Sequence, residues 1–271
     1  MSGGAAAPGQ GSRWLGAYVL LYIAFLYLPV SLIPLFSFND SIQAAFPLMG
    51  FTLDWYRSLA GNEALRNALV NSLLVGVSAA GIATLCGVTI SYMDVFGRNT
   101  TARAISAIAR LPILIPGVIV GIALLILVNL AGLGPSLLAI VAGHVLAGLP
   151  TTVIIMKGRF QAIPRSVAEA AEDLGAREAL VFWRILLPLS LPAVASSFML
   201  AFLTSFDEFI IAFFLAGSEQ TLPLYIWSQL RFPISLPVVM ALGSVILLAS
   251  VVIAGAAELL RNRGLSAGER R

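Results

Sequence analysis

Residues 111–156 read LPILIPGVIVGIALLILVNLAGLGPSLLAIVAGHVLAGLPTTVIIM, 46 consecutive positions without a single Asp, Glu, Lys or Arg. A membrane-spanning helix needs roughly 20 apolar residues at about 1.5 Å rise each, so this stretch is long enough for two crossings. Gly132-Leu133-Gly134-Pro135 supplies the turn between them. Outward from it lie further charge-free intervals: 26 residues over 14–39, 27 over 67–93, 22 over 185–206 with 10 more over 209–218, and 26 over 232–257. The reading is an all-α polytopic bundle of six transmembrane helices at about 14–38, 68–93, 106–130, 136–157, 190–216 and 236–260. Composition agrees, with 59% apolar residues, 11% charged and a mean hydropathy of +0.96. Soluble domains carry about 25% charge, so a soluble enzyme is excluded.

The few charges set the orientation. With the N-terminus in the cytoplasm, 13 of the 16 basic residues fall inside and only Arg57, Arg66 and Arg231 outside, which by the positive-inside rule predicts both termini cytoplasmic. Residues 1–13 read as a disordered arm rich in Gly and Ala, 14–260 as the membrane domain with an inside loop at 157–190, and 261–271 as a tail. The first apolar run is long for a signal peptide and reads as a retained span. Pro29 and Pro34 in the first span, and Pro112 and Pro116 at the start of the third, each remove a backbone donor and predict kinks or short breaks. Outside, Phe51-Thr52-Leu53-Asp54-Trp55-Tyr56 reads as a short surface helix with interfacial aromatics. The lone Cys86 excludes an internal disulfide and a cysteine metal cluster.

The inside loop is the only one long enough to hold a folded element. Ser166-Val167-Ala168-Glu169 has the spacing of a capping box, and Gly175 stands where a left-handed C-terminal cap is expected, so a helix of two turns is predicted between them. A second short helix, Arg177 to Leu186, is expected to end before Pro188. Two turns are not stable alone, so the element must dock. Val167, Ala168, Ala171 and Leu174 make one small apolar face with Glu169, Glu172 and Asp173 around it, a shape suited to a groove on a cytoplasmic partner or to folding back on the bundle.

Glu169-Ala170-Ala171, three residues, Gly175, nine residues, then Ile185-Leu186-Leu187-Pro188 resembles the EAA signature of permease subunits of binding-protein-dependent ABC importers. The resemblance implies the type I importer permease fold in a bacterial inner membrane. It also implies a helix, with Ser166, Glu169, Ala170, Ala171, Leu174 and Gly175 at its core, that sits in a cleft of a cytoplasmic ATPase. Implied partners are a second homologous permease, two ATPase subunits and an external substrate-binding protein, with ATP and Mg bound by the ATPases and no cofactor in this chain. Phe36-Ser37-Phe38-Asn39, Asp54-Trp55-Tyr56, Leu111-Pro112 with Ile115-Pro116-Gly117, and Ser205-Phe206-Asp207-Glu208-Phe209 resemble the spermidine/putrescine branch, in particular its second permease. Permeases for iron, thiamine, aminoethylphosphonate and opines or amino-acid derivatives share parts of the pattern.

Asp207 and Glu208 lie about 15 residues beyond Pro192, roughly 22 Å along a helix, in the outer half of the bilayer. A carboxylate at the bilayer centre costs about 2.5–3.5 kcal/mol on insertion scales, so two adjacent ones are not expected to face lipid. With Thr204, Phe206 and Phe209 they form the candidate pathway for a polycation; the other reading pairs them with a partner subunit or leaves them at the outer interface. The flanking phenylalanines read as packing before a cation cage. His144 reads as a packing or hydrogen-bonding residue, and Asn67 and Asn71 as bonding a neighbouring helix. A secondary transporter would use such carboxylates for protons or ions, but no inverted repeat is present. Lys157, the only lysine, follows Met156, so no Gly-Lys-Ser/Thr phosphate loop exists.

Overall fold

The computed structural model describes residues 10–97 and 100–268, with side chains for 14–97 and 100–252. The expected arm and tail, 1–13 and 261–271, together with Arg98, lie outside these residues in whole or in their side chains. In chain order the helices are α1 (Gln10–Ser37), α2 (Asp54–Ala60), α3 (Glu63–Val95), α4 (Thr100–Ile108), α5 (Gly117–Leu130) and α6 (Leu137–Ala162). They continue with α7 (Arg165–Asp173), α8 (Glu178–Val181), α9 (Leu187–Asp207), α10 (Ile210–Leu215), α11 (Leu222–Leu230) and α12 (Leu236–Gly268). Among the described residues five helical runs are long and apolar enough to cross a membrane, and a sixth if the bent pair 100–114 and 117–130 counts as one.

The break expected at Pro112 and Pro116 is present: the third span is divided into α4, a short 3-10 turn at Leu111–Leu114 and α5, with a bend of 111°, because neither proline can donate to the preceding turn. Two expectations are corrected. The fifth span is shifted. Its long helix ends at Asp207, and the segment expected to continue it to 216 is the separate α10. The helix expected to stop before Pro188 does not stop; α8 runs through a π turn, Phe182–Leu186, into α9, and the wider turn accommodates the proline ring without ending the helix. Pro29 and Pro34 stay inside α1.

The chain divides into two compact units, Met1–Asn62 with Ser228–Arg271, and Glu63–Trp227. In the first, α1 packs on α12, where a Cβ on Gly243 would lie 3.2 Å from Ile33. Asn39, fully buried, organises the loop before α2: its amide nitrogen donates to the Gln43 carbonyl, its Oδ1 accepts from the Met49 amide at 2.9 Å, and its carbonyl accepts from Trp55 Nε1 at 2.9 Å. The Ser37 and Tyr56 hydroxyls meet at 2.6 Å.

The second unit is built on α3, α6 and α9 in mutual contact. Without a hydrophobic driving force inside a bilayer, helices associate through small residues and interhelical hydrogen bonds. Ala80, Ala83 and Ala201 are buried where Gly148 lets α6 approach. Gly87 is required by proximity: a Cβ there would lie 2.7 Å from Thr152 Cβ. Thr152 Oγ1 donates to the Ala83 carbonyl at 2.9 Å, and Ser91 Oγ to the Val153 carbonyl at 3.0 Å. At one end Val75, Val120, Ile140, Ile211, Ala212 and Leu215 form an apolar cluster that seats α10; at the other, Val88, Val95, Met156, Phe160, Ile163 and Leu186 form the cluster on which α7 rests.

Candidate functional site

The short helix α7 begins two residues before the capping box would place it. Pro164 is its N-cap, with ψ of 133°, and its carbonyl accepts from the Val167 amide at 3.1 Å. Ser166 is therefore already inside the first turn, and no side-chain cap bond forms. The C-terminus is as expected. Gly175 has φ of +86°, its amide donates to the Glu172 carbonyl at 2.8 Å, and the Ala176 amide reaches back to the Ala171 carbonyl at 3.0 Å. These two bonds are a Schellman motif, which needs a residue free to take the left-handed conformation at its glycine.

The apolar face of α7 is turned inward. Ala168 is buried and Val167 and Ala171 pack beside it on the Val88–Phe160 cluster, whereas Leu174 is 91% exposed. The face expected to enter a partner's groove is thus largely spent on the chain's own bundle. Ser166, Glu169, Ala170, Glu172, Asp173 and Leu174 remain exposed. Two polar contacts tie the region to the spans: Arg165 Nη2 donates to the Val95 carbonyl at the end of α3 at 2.8 Å, and the Tyr92 hydroxyl donates to Glu178 Oε1 on α8 at 2.9 Å. Arg165, Glu169, Glu172 and Glu178 line a cleft of about 480 Å³ with Tyr92 and Phe96. Arg159 on α6 donates through Nε to the Leu189 carbonyl of α9 at 3.1 Å, and through Nη2 to the same oxygen.

At the far end of α9 the carboxylates part company. Glu208 leaves the helix with ψ of 109°, and from the position before the Phe209 N-cap its Oε1 accepts from the Ile211 amide in the first turn of α10 at 3.1 Å. Asp207 stays exposed on the last turn of α9 and shares a face with Thr204, three residues back. The Thr204 hydroxyl donates to the Leu200 carbonyl at 2.9 Å. Phe206 stacks on Phe202 with centroids 5.6 Å apart, while Phe209 packs against Phe213 and Trp227, each at 5.7 Å. The five candidate pathway residues are therefore divided, with Asp207 and Thr204 on the open face and Glu208 and Phe209 joined to α10 and Trp227.

His144 Nδ1 lies 2.7 Å from Ser205 Oγ, buried between α6 and α9, which is the hydrogen-bonding role expected of it. Asn71 donates to the Gln220 carbonyl at 3.0 Å, and Ser72 Oγ accepts from the Leu222 amide at 2.7 Å; together they fix the link between α10 and α11. Trp227 and the Ser72 link were not among the candidates. Neither carries a local signal, since only the fold brings them to the break. Among the described residues no group of three or more His, Cys, Asp or Glu could hold a metal.

A family model described as "Binding-protein-dependent transport system inner membrane component" matches residues 72–263. The spermidine/putrescine transport system permease protein PotC of Escherichia coli (strain K12) is 32% identical over 246 residues, 90% of this chain and 92% of that one. The putrescine transport system permease protein PotI of the same strain is 33% identical over 244 residues, 87% of this chain and 86% of that one. In solved structures, the fold is similar to that of a chain from a bacterial ABC transporter involved in the import of the acidic polysaccharide alginate, with a TM-score of 0.71, 18% identity, and 94% of this chain and 99% of that one covered.

Proposed function

The chain belongs to the family of binding-protein-dependent transport system inner membrane components, and from that premise we propose that it is the half of an ABC importer that conducts polyamines, spermidine and putrescine, across the inner membrane. That it is a multi-pass permease subunit of an ABC importer is the family's property. The polyamine substrate rests on one observation, the match over some nine-tenths of the chain to permeases named for spermidine and putrescine. The exposed carboxylate of Asp207 supports it by charge. The fold does not select the substrate, because the alginate transporter shares it.

In this reading both termini and α7 face the cytoplasm, a second permease completes the pathway, two ATPases bind ATP and Mg, and an external protein delivers the substrate. This chain performs no covalent chemistry. Ser166, Glu169, Ala170 and Leu174 meet the ATPase, while Ala171 and Gly175 hold α7 in its seat. Nucleotide-driven movement of the ATPases displaces α7. Arg165 passes the displacement to the end of α3, and the tight turn at Gly175 passes it to α8. From Glu178 the helix runs unbroken through 30 residues to Asp207, roughly 45 Å at 1.5 Å per residue. A push at the coupling turn therefore arrives at the break where Asp207, Thr204 and Phe206 stand. Alternating access follows if that push swings the outer ends of the spans.

The test is reconstitution of both permeases and the ATPase in proteoliposomes with the companion binding protein. Spermidine or putrescine should stimulate ATP hydrolysis and accumulate inside. If neither does, and another ligand of the binding protein drives both, the polyamine assignment is wrong while the permease reading stands.

A further inference from the structure

The helix α4 is amphipathic and separates two cavities of opposite character. On one side a cleft of about 410 Å³ is lined by Arg103, Arg110, Lys157 and Arg165 around Asp94. Lys157 Nζ pairs with Asp94 at 2.7 Å, so one of the four cations is neutralised. Arg110 Nε and Arg165 Nη2 each donate to a backbone carbonyl, of Ser106 at 2.9 Å and of Val95 at 2.8 Å, which aims the guanidinium groups; neither makes an ion pair among the described residues, though Asp94 lies near Arg110, and Glu169 and Glu172 share a second cleft with Arg165. Arg103 is exposed and makes no ion pair among the described residues. On the other side a groove of about 490 Å³ is almost wholly apolar, lined by Ile90, Ile105, Ile108, Leu111, Pro112 and Leu146, among others. Ile105 and Ile108 lie about 200° and about 140° around the helix from Arg103, and Arg110 and Leu111, adjacent in sequence, line the basic and the apolar cavity respectively.

We propose that these cavities together bind one anionic phospholipid of the inner leaflet, its phosphate among Arg103, Arg110 and Arg165 and an acyl chain in the Ile105–Ile108 groove. A free anion would be served by the basic cleft alone and a neutral lipid by the groove alone; only a molecule with both parts uses the two surfaces that α4 presents. Basic pockets between membrane helices on the cytoplasmic side are suited to anionic headgroups. The inner-leaflet placement rests on the orientation given above. The bend at Pro112 and Pro116 builds the site, because it swings α4 out of line with α5 and opens the groove beside it. A bound lipid is thereby placed against α3, α4 and α7 at once, where it would stiffen the seat of the coupling helix.

The assembled transporter, held in nanodiscs of phosphatidylcholine with an admixture of phosphatidylglycerol, is examined by native mass spectrometry for retained lipid. The wild type should retain phosphatidylglycerol in preference to phosphatidylcholine. Arg103→Gln, at an exposed position, should lower that preference about fivefold, since each basic residue near an anionic lipid contributes about 1 kcal/mol. Ile108→Asn should lower retention of both lipids. An unchanged preference in Arg103→Gln overturns the proposal. So does displacement of the lipid signal by inorganic phosphate with Ile108→Asn without effect, which would make this a free-anion site. Cross-linking of Ile108→Cys to the second permease, showing the groove covered by protein, would also overturn it. The nanodisc readout is blind to orientation, so labelling of Arg103→Cys from outside intact cells would overturn the inner-leaflet assignment separately from the site itself.

Discussion

In α7 the carboxylates Glu169, Glu172 and Asp173 stand outside, and small apolar residues do the docking; at the end of α9 one carboxylate is drawn into the fold by a backbone amide and its neighbour is left exposed. Both regions are acidic and both join a helix to a turn. They differ in what their sequence encodes locally. The α7 turn is specified by Gly175, which few other residues could replace at a φ of +86°. The α9–α10 break contains neither glycine nor proline, and Phe209, the N-cap of α10, is not among the preferred N-cap residues. It exists because the Val75–Leu215 cluster holds α10 where it is. The first region is therefore one in which side chains outside the fold are free to serve a partner. In the second, function and architecture compete for adjacent carboxylates.

The largest effect is expected from reversing the charge that α7 offers outward. Glu169 is exposed and makes no hydrogen bond or ion pair among the described residues, so Glu169→Lys should leave the thermal stability of the chain unchanged. ATPase co-purification and uptake should nonetheless fall to background. Retained co-purification would mean that α7 only closes the bundle, and the contrast between the two regions would disappear.

Next is Asp207→Asn. Removing one incompletely screened charge from the path of a polycation should lower uptake roughly tenfold, the equivalent of about 1.4 kcal/mol, with the ATPase still bound. Glu208→Gln keeps an oxygen able to accept from the Ile211 amide and should have much the smaller effect. If the two substitutions have equal effects on uptake kinetics, the division of labour between the adjacent carboxylates is wrong.

Glu208→Ala sharpens the same point at smaller scale. It removes the acceptor of the Ile211 amide in the first turn of α10, a loss of about 1 kcal/mol for one hydrogen bond. Thermal unfolding of the purified chain should register that loss, whereas Glu208→Gln should unfold near the wild-type temperature.

What could be read in advance follows the same division. Charge-free intervals located the membrane segments because burying charge in lipid is costly wherever it occurs in a fold. The interval 185–206 was by itself the length of a span, and α9 uses it, ending at Asp207. Extending the fifth span to 216 counted apolar residues that belong to α10. Continuity across Pro188 was hidden for a different reason. A proline normally ends a helix, and only the packed surroundings of Leu186 allow the π turn that absorbs it. The inward face of α7 was seen as apolar, but four residues cannot reveal which of two surfaces they cover. The Asn39 loop is not legible in the sequence either: Phe38 and Trp55 stand in separate motifs, and the bonds of Asn39 that join these segments are tertiary.

The smallest expected effect tests a local signal that the fold overrides. Ser166 and Glu169 have capping-box spacing, and a working box would lose about 1 kcal/mol on Ser166→Ala. Here Pro164 starts the helix, because its φ of −58° lies close to the helical value while its ψ of 133° carries the incoming chain. Its carbonyl then engages Val167, and Ser166 is committed to the first turn with its hydroxyl exposed. Ser166→Ala should therefore change unfolding by less than about 0.5 kcal/mol, as exposed substitutions ordinarily do. Pro164→Ala should cost more, because it loosens the residue that sets the start. The reverse ranking would restore the capping box and start α7 two residues later, at Val167. That would unwind the turn that carries Arg165 and loosen its bond to the Val95 carbonyl, the contact through which the coupling turn reaches α3.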